Sequence, residues 1–330
     1  MSSPPLIEAR QLCKQFPVTS AQNGSAYSLT AVDLVSLSAD CGETVGIAGE
    51  SGCGKSTLAK MMAGLLAADS GQVLYRGMPL KALTAEQYAS FRRATQMIFQ
   101  DPFSSLNPRI RIGDTIAEPM TVARTLAPDT IKERVRRLLD QVGLAEEHAS
   151  RFPDEFSGGQ RQRIGIARAL ASEPSLIIAD EPVSSLDISI QAQIINLLMR
   201  LQRDHSLTVI IVSHNLSVLR HMCDRIFIMY LGTVVESAPA ATLFTSFRHP
   251  YTEALLAAVP QLLASGAQTP PILNDDVPSP LRIPAGCRFH PRCRYARDIC
   301  RVEQPYLSAA APGHTSACHF SSELFGRHTP

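Results

Sequence analysis

Two kinds of apolar pattern alternate along the chain. Short β-branched runs at Thr44–Ala48, Leu176–Ala179 and Val209–Val212 are continuous rather than alternating, as expected of strands buried on both faces of a parallel sheet. Between them, apolar residues recur at three- and four-residue spacing. Leu58, Met61, Met62, Leu65 and Leu66 make one stripe after Lys55, with the methionines as core filler. Ile131, Val135, Leu138, Leu139 and Val142 make another, opposite a basic face of Lys132, Arg134, Arg136 and Arg137 that reads as solvated surface within a helical insertion over 108–156. Residues 31–45 read as strand and turn. Strands alternating with helices predict an α/β core. Past Glu236 the pattern weakens, and Pro260, Pro270, Pro271, Pro278, Pro280 and Pro284 mark a linker to a small cysteine-containing tail.

Composition changes this picture little. The 330 residues are 45% apolar and 18% charged, enough for a sizeable core and too hydrophobic for a disordered chain. A net charge of +1 gives no global attraction for nucleic acid or anionic lipid, so membrane association is expected through protein partners and no nucleic-acid partner is expected. No apolar run approaches the roughly 20 residues needed to span a bilayer, and the first ten residues lack the basic and apolar regions of a secretory leader. The expectation is a cytoplasmic protein, whose cysteines are then buried thiols or metal ligands rather than disulfides.

The chemistry begins at Gly49-Glu50-Ser51-Gly52-Cys53-Gly54-Lys55-Ser56-Thr57, which satisfies G-x-x-x-x-G-K-[ST] between a strand and a helix. Its glycines let backbone N–H groups converge on phosphate oxygens, Lys55 would reach the β- and γ-phosphates, and Ser56 would ligate Mg²⁺. A second buried strand ends in Asp180-Glu181, where Asp180 would hold Mg²⁺ through its water shell and Glu181 would orient or deprotonate the attacking water. At Phe156-Ser157-Gly158-Gly159-Gln160, Ser157 can cap a helix whose glycines expose N–H groups to an anion; the plainer alternative is a capped turn with Arg161 and Arg163 on a solvated face. These two anion-binding helix ends lie over 100 residues apart.

Together these motifs resemble an ABC ATPase: a P-loop, Asp180-Glu181, and a Leu-Ser-Gly-Gly-Gln type signature with Phe156 in place of Leu. The resemblance implies a P-loop NTPase core (α/β) with a helical subdomain and a small C-terminal extension. Its nucleotide-binding domain would cover 1–250, with the helical part about 108–160, and the four-Cys extension 251–330. It implies a head-to-tail pair of subunits in which Ser157, Gly158, Gly159 and Gln160 meet the ATP held by the partner's loop. Gln100 matches the loop that senses γ-phosphate and Mg²⁺, Ser185-Leu186-Asp187 the D-loop, and His214 the switch histidine. Phe16 is the candidate for stacking on adenine, with Tyr27 the alternative. Cofactor contacts are then expected from Phe16, Gly49, Ser51, Gly52, Cys53, Gly54, Lys55, Ser56, Thr57, Gln100 and Asp180, with Mg²⁺ at Ser56, Gln100 and Asp180.

Two further stretches, Met97-Ile98-Phe99-Gln100-Asp101-Pro102-Phe103-Ser104-Ser105-Leu106-Asn107-Pro108 and His249-Pro250-Tyr251-Thr252-Glu253-Ala254-Leu255-Leu256, are similar to peptide and nickel permease ATPases. The implied function is ATP hydrolysis powering peptide import at the cytoplasmic face of the inner (plasma) membrane. The implied partners are a related but different ATPase subunit, two transmembrane permease subunits and an extracytoplasmic solute-binding protein. Nickel or another small solute is the alternative cargo, and action on ribosomes or DNA the alternative of another class.

In the tail, Cys287, Cys293, Cys300 and Cys318 follow C-x5-C-x6-C-x17-C in a stretch without an obvious core of its own. The resemblance points to a 4Fe-4S cluster; a four-thiolate Zn²⁺ site and four reduced thiols are the alternatives, with His290, His314 and His319 as substitute ligands. Cys13, Cys41, Cys53 and Cys223 read as packing thiols, Cys53 with possible sensitivity to thiol reagents from its place in the P-loop.

Overall fold

The computed structural model describes residues 4–19, 26–101, 105–123, 126–258 and 278–326. Pro102, Phe103 and Ser104 of the first permease-like stretch, and Pro260, Pro270 and Pro271 of the linker, lie outside the described residues. The chain divides into two units: Met1–Ser38 with Thr44–Pro79 and Ser213–Pro330, and Ala39–Glu43 with Leu80–Val212.

The first unit holds a four-stranded sheet ordered β2-β1-β4-β5, from β1 (Ile7–Thr19), β2 (Ala26–Ala39), β4 (Ser70–Tyr75) and β5 (Met78–Pro79). It also holds β3 (Thr44–Ala48), parallel to β9 (Arg225–Tyr230), which pairs antiparallel with β10 (Thr233–Pro239). All five residues of β3 are buried, as its unbroken apolar run requires. Helix α1 (Lys55–Met62) follows β3, with Met61 and Met62 in the core at 1% and 0% exposure. The expected stripe stops short. Gly64 takes φ +67, its N–H bonds to the Met61 carbonyl and that of Leu65 to the Lys60 carbonyl, a glycine-terminated helix end that leaves Leu65 exposed.

The tail belongs to this unit and is tied down by backbone pairing. Strand β12 (His314–Ser316) runs antiparallel to β10, and β11 (Ser308–Ala311) antiparallel to β12. Phe289 is buried and packs its ring against Tyr230 and Tyr251. The tail, expected to lack an obvious core of its own, is held by docking onto β10 and onto Tyr230 and Tyr251. Edge-strand addition needs only N–H and C=O groups, so Ser308–Ala311 carries almost no hydrophobic signal. Helices α7 (Leu216–Met222), α8 (Ala240–Leu243), α9 (Pro250–Ala257), α10 (Asp298–Val302) and α11 (Ser321–Phe325) complete the unit.

In the second unit β6 (Thr95–Ile98), β7 (Leu176–Asp180) and β8 (Thr208–Ser213) are parallel neighbours in the order β8-β7-β6, with β7 and β8 wholly buried. Helix α2 (Ala85–Ala94) starts at a Thr84–Gln87 capping box. Helices α3 (Ile112–Ala123), α4 (Pro128–Gln141) and α5 (Gly158–Leu170) pack on one another, and α6 (Ile188–His205) packs on α5. Pro128 opens α4, and Gly143 at φ +73 closes it with bonds from Gly143 to Asp140 and Leu144 to Leu139. Val135, Leu138, Leu139 and Val142 are buried on one face; on the other, Arg136 and Arg137 both pair with Glu133.

Candidate functional site

In the first unit the loop between β3 and α1 is shaped by three glycines with positive φ: Gly49 (+149°), Gly52 (+79°) and Gly54 (+104°). A Cβ on Gly49 would lie 2.2 Å from the Met229 carbonyl oxygen, and one on Gly54 1.9 Å from that of Ala31, so neither position admits a side chain without moving backbone. Lys55 is buried, and its ammonium donates to the carbonyls of Gly49 (2.8 Å) and Glu50 (2.9 Å), so its charge sits inside the ring of loop backbone. Loop N–H groups above a helix start, with a buried cation among them, form an anion-binding concavity.

Cys53 is the packing thiol expected, without the expected reactivity. It is buried, burial pushes its thiol up although Lys55 opposes this, and its sulfur lies 3.8 Å from the Lys55 nitrogen; that makes it a poor target for thiol reagents. Cys41, expected as a packing thiol, is exposed. Phe16 is half-buried on β1 with Lys14 5.5 Å from its ring centroid, and Tyr27 is exposed on β2. His214, exposed, also belongs to this unit, directly after β8; beside it Asn215 caps α7 by accepting from Ser217 and Val218.

The second unit carries the acidic pair. Asp180, 4% exposed, is the last residue of β7. Glu181 has φ +46°, a left-handed conformation that costs a side-chain-bearing residue free energy. Its N–H donates to the Val212 carbonyl at 2.9 Å and its own carbonyl accepts from the Ser184 hydroxyl at 3.2 Å, contacts that hold the chain in that turn. The amide of Gln100, just after β6, donates to the Glu181 carboxylate at 3.2 Å. Two residues 81 positions apart in sequence are thus brought together at the ends of adjacent parallel strands, where α/β sheets bind ligands.

Ser157 caps α5: its hydroxyl accepts from Gln160 N–H while the Gln160 side chain accepts from Ser157 N–H at 3.0 Å. Gly159 faces α6 so closely that a Cβ would stand 2.5 Å from Ile190 Cγ2. The alternative of Arg161 and Arg163 as a solvated face is corrected. Arg161 is buried and donates to the Phe156 carbonyl at 3.0 Å, and Arg163 donates to the Val142 carbonyl at 2.6 Å and to Gln193 at 3.1 Å. Arg161 fixes the turn that presents the helix end, and Arg163 ties α5 to the end of α4 and to α6. Asp187 stands at the start of α6 and is exposed, as is Ile188.

Cys287, Cys293, Cys300 and Cys318 line one cavity in the tail, together with His249, His290, Phe289 and His319. Burial, and then the neighbouring thiols, push Cys293 up to about 12 and Cys318 up to about 11, and Cys287 is raised as well. A thiolate there requires a cationic centre to offset its desolvation. Among the described residues no group of three or more His, Cys, Asp or Glu is placed to hold a metal ion. His314, offered as a substitute ligand, is instead committed to buried Glu236 at 2.6 Å.

Sequence reasoning assigned no role to Glu50, Arg288, Arg292 or Tyr251. Arg292 grips Glu50 of the phosphate loop at two points, 2.8 and 2.9 Å, and the Tyr251 hydroxyl accepts from Glu50 N–H at 3.0 Å. Tyr251 lay in a quoted motif, but nothing local to 292 points to residue 50.

Comparison with known proteins places the chain in a family. The ABC transporter family model matches residues 32–184, and the model for the oligopeptide/dipeptide transporter C-terminal region matches residues 235–300. A probable peptide ABC transporter ATP-binding protein of Sinorhizobium fredii is 46% identical over 98% of this chain and 92% of its own length. The oligopeptide transport ATP-binding protein AppF of Bacillus subtilis is 46% identical over 96% and 98%, and the di/tripeptide transport ATP-binding protein DppF of Pseudomonas aeruginosa 40% over 97% and 99%. Among solved structures, a dimeric post-hydrolysis state of the ATP-binding cassette MJ0796 bound to ADP and Pi superposes with a TM-score of 0.63 at 27% identity, covering 71% of this chain and 98% of that one. CbiO1 of Clostridium perfringens, part of the ABC transporter complex cbiONQ, gives 0.62 at 27%, covering 73% and 90%.

Proposed function

This chain belongs to the ABC transporter ATPases, in the branch with the oligopeptide/dipeptide C-terminal region, and from that membership we propose that it hydrolyses ATP to power peptide import through a membrane permease. The observation that carries the reading is the loop at Gly49–Lys55, a backbone concavity with a buried ammonium inside it. In this reading Lys55 turns its ammonium to the β- and γ-phosphates, and Gly49, Ser51, Gly52, Cys53, Gly54 and Thr57 supply the cradle. Ser56, Gln100 and Asp180 hold Mg²⁺, Glu181 orients or deprotonates the attacking water, and His214 contacts the γ-phosphate. Phe16 stacks on adenine.

Ser157, Gly158, Gly159 and Gln160 serve the ATP of a second, related but different, ATPase subunit in a head-to-tail pair. Two permease subunits and an extracytoplasmic binding protein complete the assembly, with this chain on the cytoplasmic face. Among the described residues no helix is long and apolar enough to cross a membrane, which suits a chain attached through partners. We assign 1–250 to the nucleotide-binding domain, with its helical part near 108–160, and 251–330 to the extension.

Four thiols lining one cavity are the kind of donor set a 4Fe-4S cluster takes, and we propose one there. Cys287, Cys293, Cys300 and Cys318 would hold it, and it would supply a covalent staple to the tail. Iron, sulfide and zinc analysis with visible absorption of the anaerobically purified chain decides between cluster, zinc and free thiols.

The transport reading is tested on the complex purified with its membrane subunits, measuring ATP turnover with and without peptide and binding protein. Stimulation by peptide that Glu181→Gln abolishes supports it; turnover indifferent to peptide and to the membrane subunits overturns it.

A further inference from the structure

Two tail arginines are buried against the surroundings of the phosphate loop. Arg288 and Arg292 adjoin Cys287 and Cys293, and their side chains are only 8% and 4% exposed. Arg292 holds both carboxylate oxygens of Glu50, the second residue of the loop, and its guanidinium faces the Tyr230 ring at 5.9 Å. The Tyr251 hydroxyl accepts from Glu50 N–H at 3.0 Å and donates to Glu50 Oε2 at 3.4 Å. Arg288 donates to the Leu231 carbonyl and to Asp33. The neighbouring Gly232 N–H donates to the Cys53 carbonyl at 2.9 Å, and its carbonyl accepts from Asp33 N–H at 2.8 Å. The loop is therefore supported at Glu50 by one arginine and behind Cys53 by the other.

The charge at Glu50 gives this support a purpose beyond packing. A carboxylate in a loop that receives a triphosphate repels it unless a cation holds the carboxylate, and a two-point guanidinium does so with fixed geometry. We propose that Arg292 is a positioning residue for nucleotide binding: by neutralising and fixing Glu50 it braces the phosphate loop, making nucleotide affinity depend on the tail. The proposal rests on the nucleotide-binding reading above and adds to it a residue some 240 positions from the loop.

The test titrates a fluorescent ATP analogue into the full chain carrying Arg292→Gln, Glu50→Gln, both, or Arg297→Gln, whose exposed pair with Glu323 makes it the control. Arg292→Gln is expected to weaken binding roughly tenfold, a usual size for coupling between sites. Adding Glu50→Gln is expected to recover most of the loss, because the orphaned charge is then gone. Arg297→Gln is expected to bind as wild type does. Wild-type affinity in Arg292→Gln, or a double variant as weak as Arg292→Gln alone, overturns the proposal, since a purely structural arginine would not be rescued from residue 50. If Arg292→Gln does not fold, Arg292→Lys carries the same test at a few-fold amplitude. Hydrogen exchange of residues 49–54 without nucleotide is expected to rise in Arg292→Gln or Arg292→Lys. A wild-type chain that binds no nucleotide overturns the functional reading, and the exchange result then decides the brace by itself.

Discussion

Alanine substitutions at the three loop glycines should separate by what a methyl group meets, since the conformational cost is common to all three. Each glycine has positive φ, which an L-residue occupies at a cost of about 1–2 kcal/mol. At Gly52 a Cβ meets nothing within 4 Å, so Gly52→Ala should lose about that much stability and no more. At Gly54 the Cβ would stand 1.9 Å from the Ala31 carbonyl oxygen, and at Gly49 2.2 Å from that of Met229 with Cys53 Sγ at 2.8 Å. Both obstacles include strand backbone, so about 1 Å of main-chain displacement is needed, adding about 1–3 kcal/mol of overpacking strain. The expected order of urea midpoints for the nucleotide-free chain is wild type, then Gly52→Ala, then Gly49→Ala and Gly54→Ala together at the bottom, with unchanged m-values. Nucleotide affinity should fall most in the last two, where the concavity itself is displaced. Gly52→Ala as destabilising as Gly54→Ala, or Gly54→Ala close to wild type, would show that the loop does not have the conformation described here.

Glu181→Gln keeps the hydrogen-bond acceptor for Gln100 but removes the charge, so ATP binding should persist while turnover falls by a factor of about 10² or more, measured by phosphate release. Gly159→Ala should cost about 1–3 kcal/mol through its 2.5 Å approach to Ile190 Cγ2, and Ile190→Ala should relieve part of that loss in the double variant; additive losses in denaturant titrations would rule out the contact. His314→Ala removes the imidazole hydrogen bond from fully buried Glu236 and should cost about 1–3 kcal/mol in thermal unfolding, whereas Arg136→Ala, at an exposed pair with Glu133, should change little. Equal effects of those two substitutions would contradict the burial assigned to Glu236.

What the sequence made legible is what contiguous residues determine. The phosphate loop between β3 and α1, the Ser157–Gln160 cap and the buried runs of β7 and β8 are each written within about ten residues, and the structure forms each of them. Periodicity misled at Leu65, because Gly64 ended the helix before the stripe did and a glycine signal is weaker than five spaced apolar residues. The alternative that leaves Arg161 and Arg163 in water rests on residue type alone. Guanidinium groups go inside when backbone carbonyls such as those of Phe156 and Val142 are left without helix partners, and which carbonyls those are depends on packing between distant segments.

The tail was the least legible part for the same physical reason taken further. Its attachment uses backbone pairing of β12 with β10, a phenylalanine among two tyrosines, and two arginines whose acidic partners lie more than 200 positions away. None of these has a local period, and an arginine-rich segment of low apolar content looks the same whether its charges face water or buried acids. Burial decides between the two, and it makes a difference to function. An exposed arginine pair contributes little. Arg292, with its side chain almost wholly enclosed and both oxygens of Glu50 in its grip, cannot lose its partner without leaving a charge stranded beside the phosphate site. A segment that reads as an appendage is therefore joined to the one loop that the sequence marks most clearly.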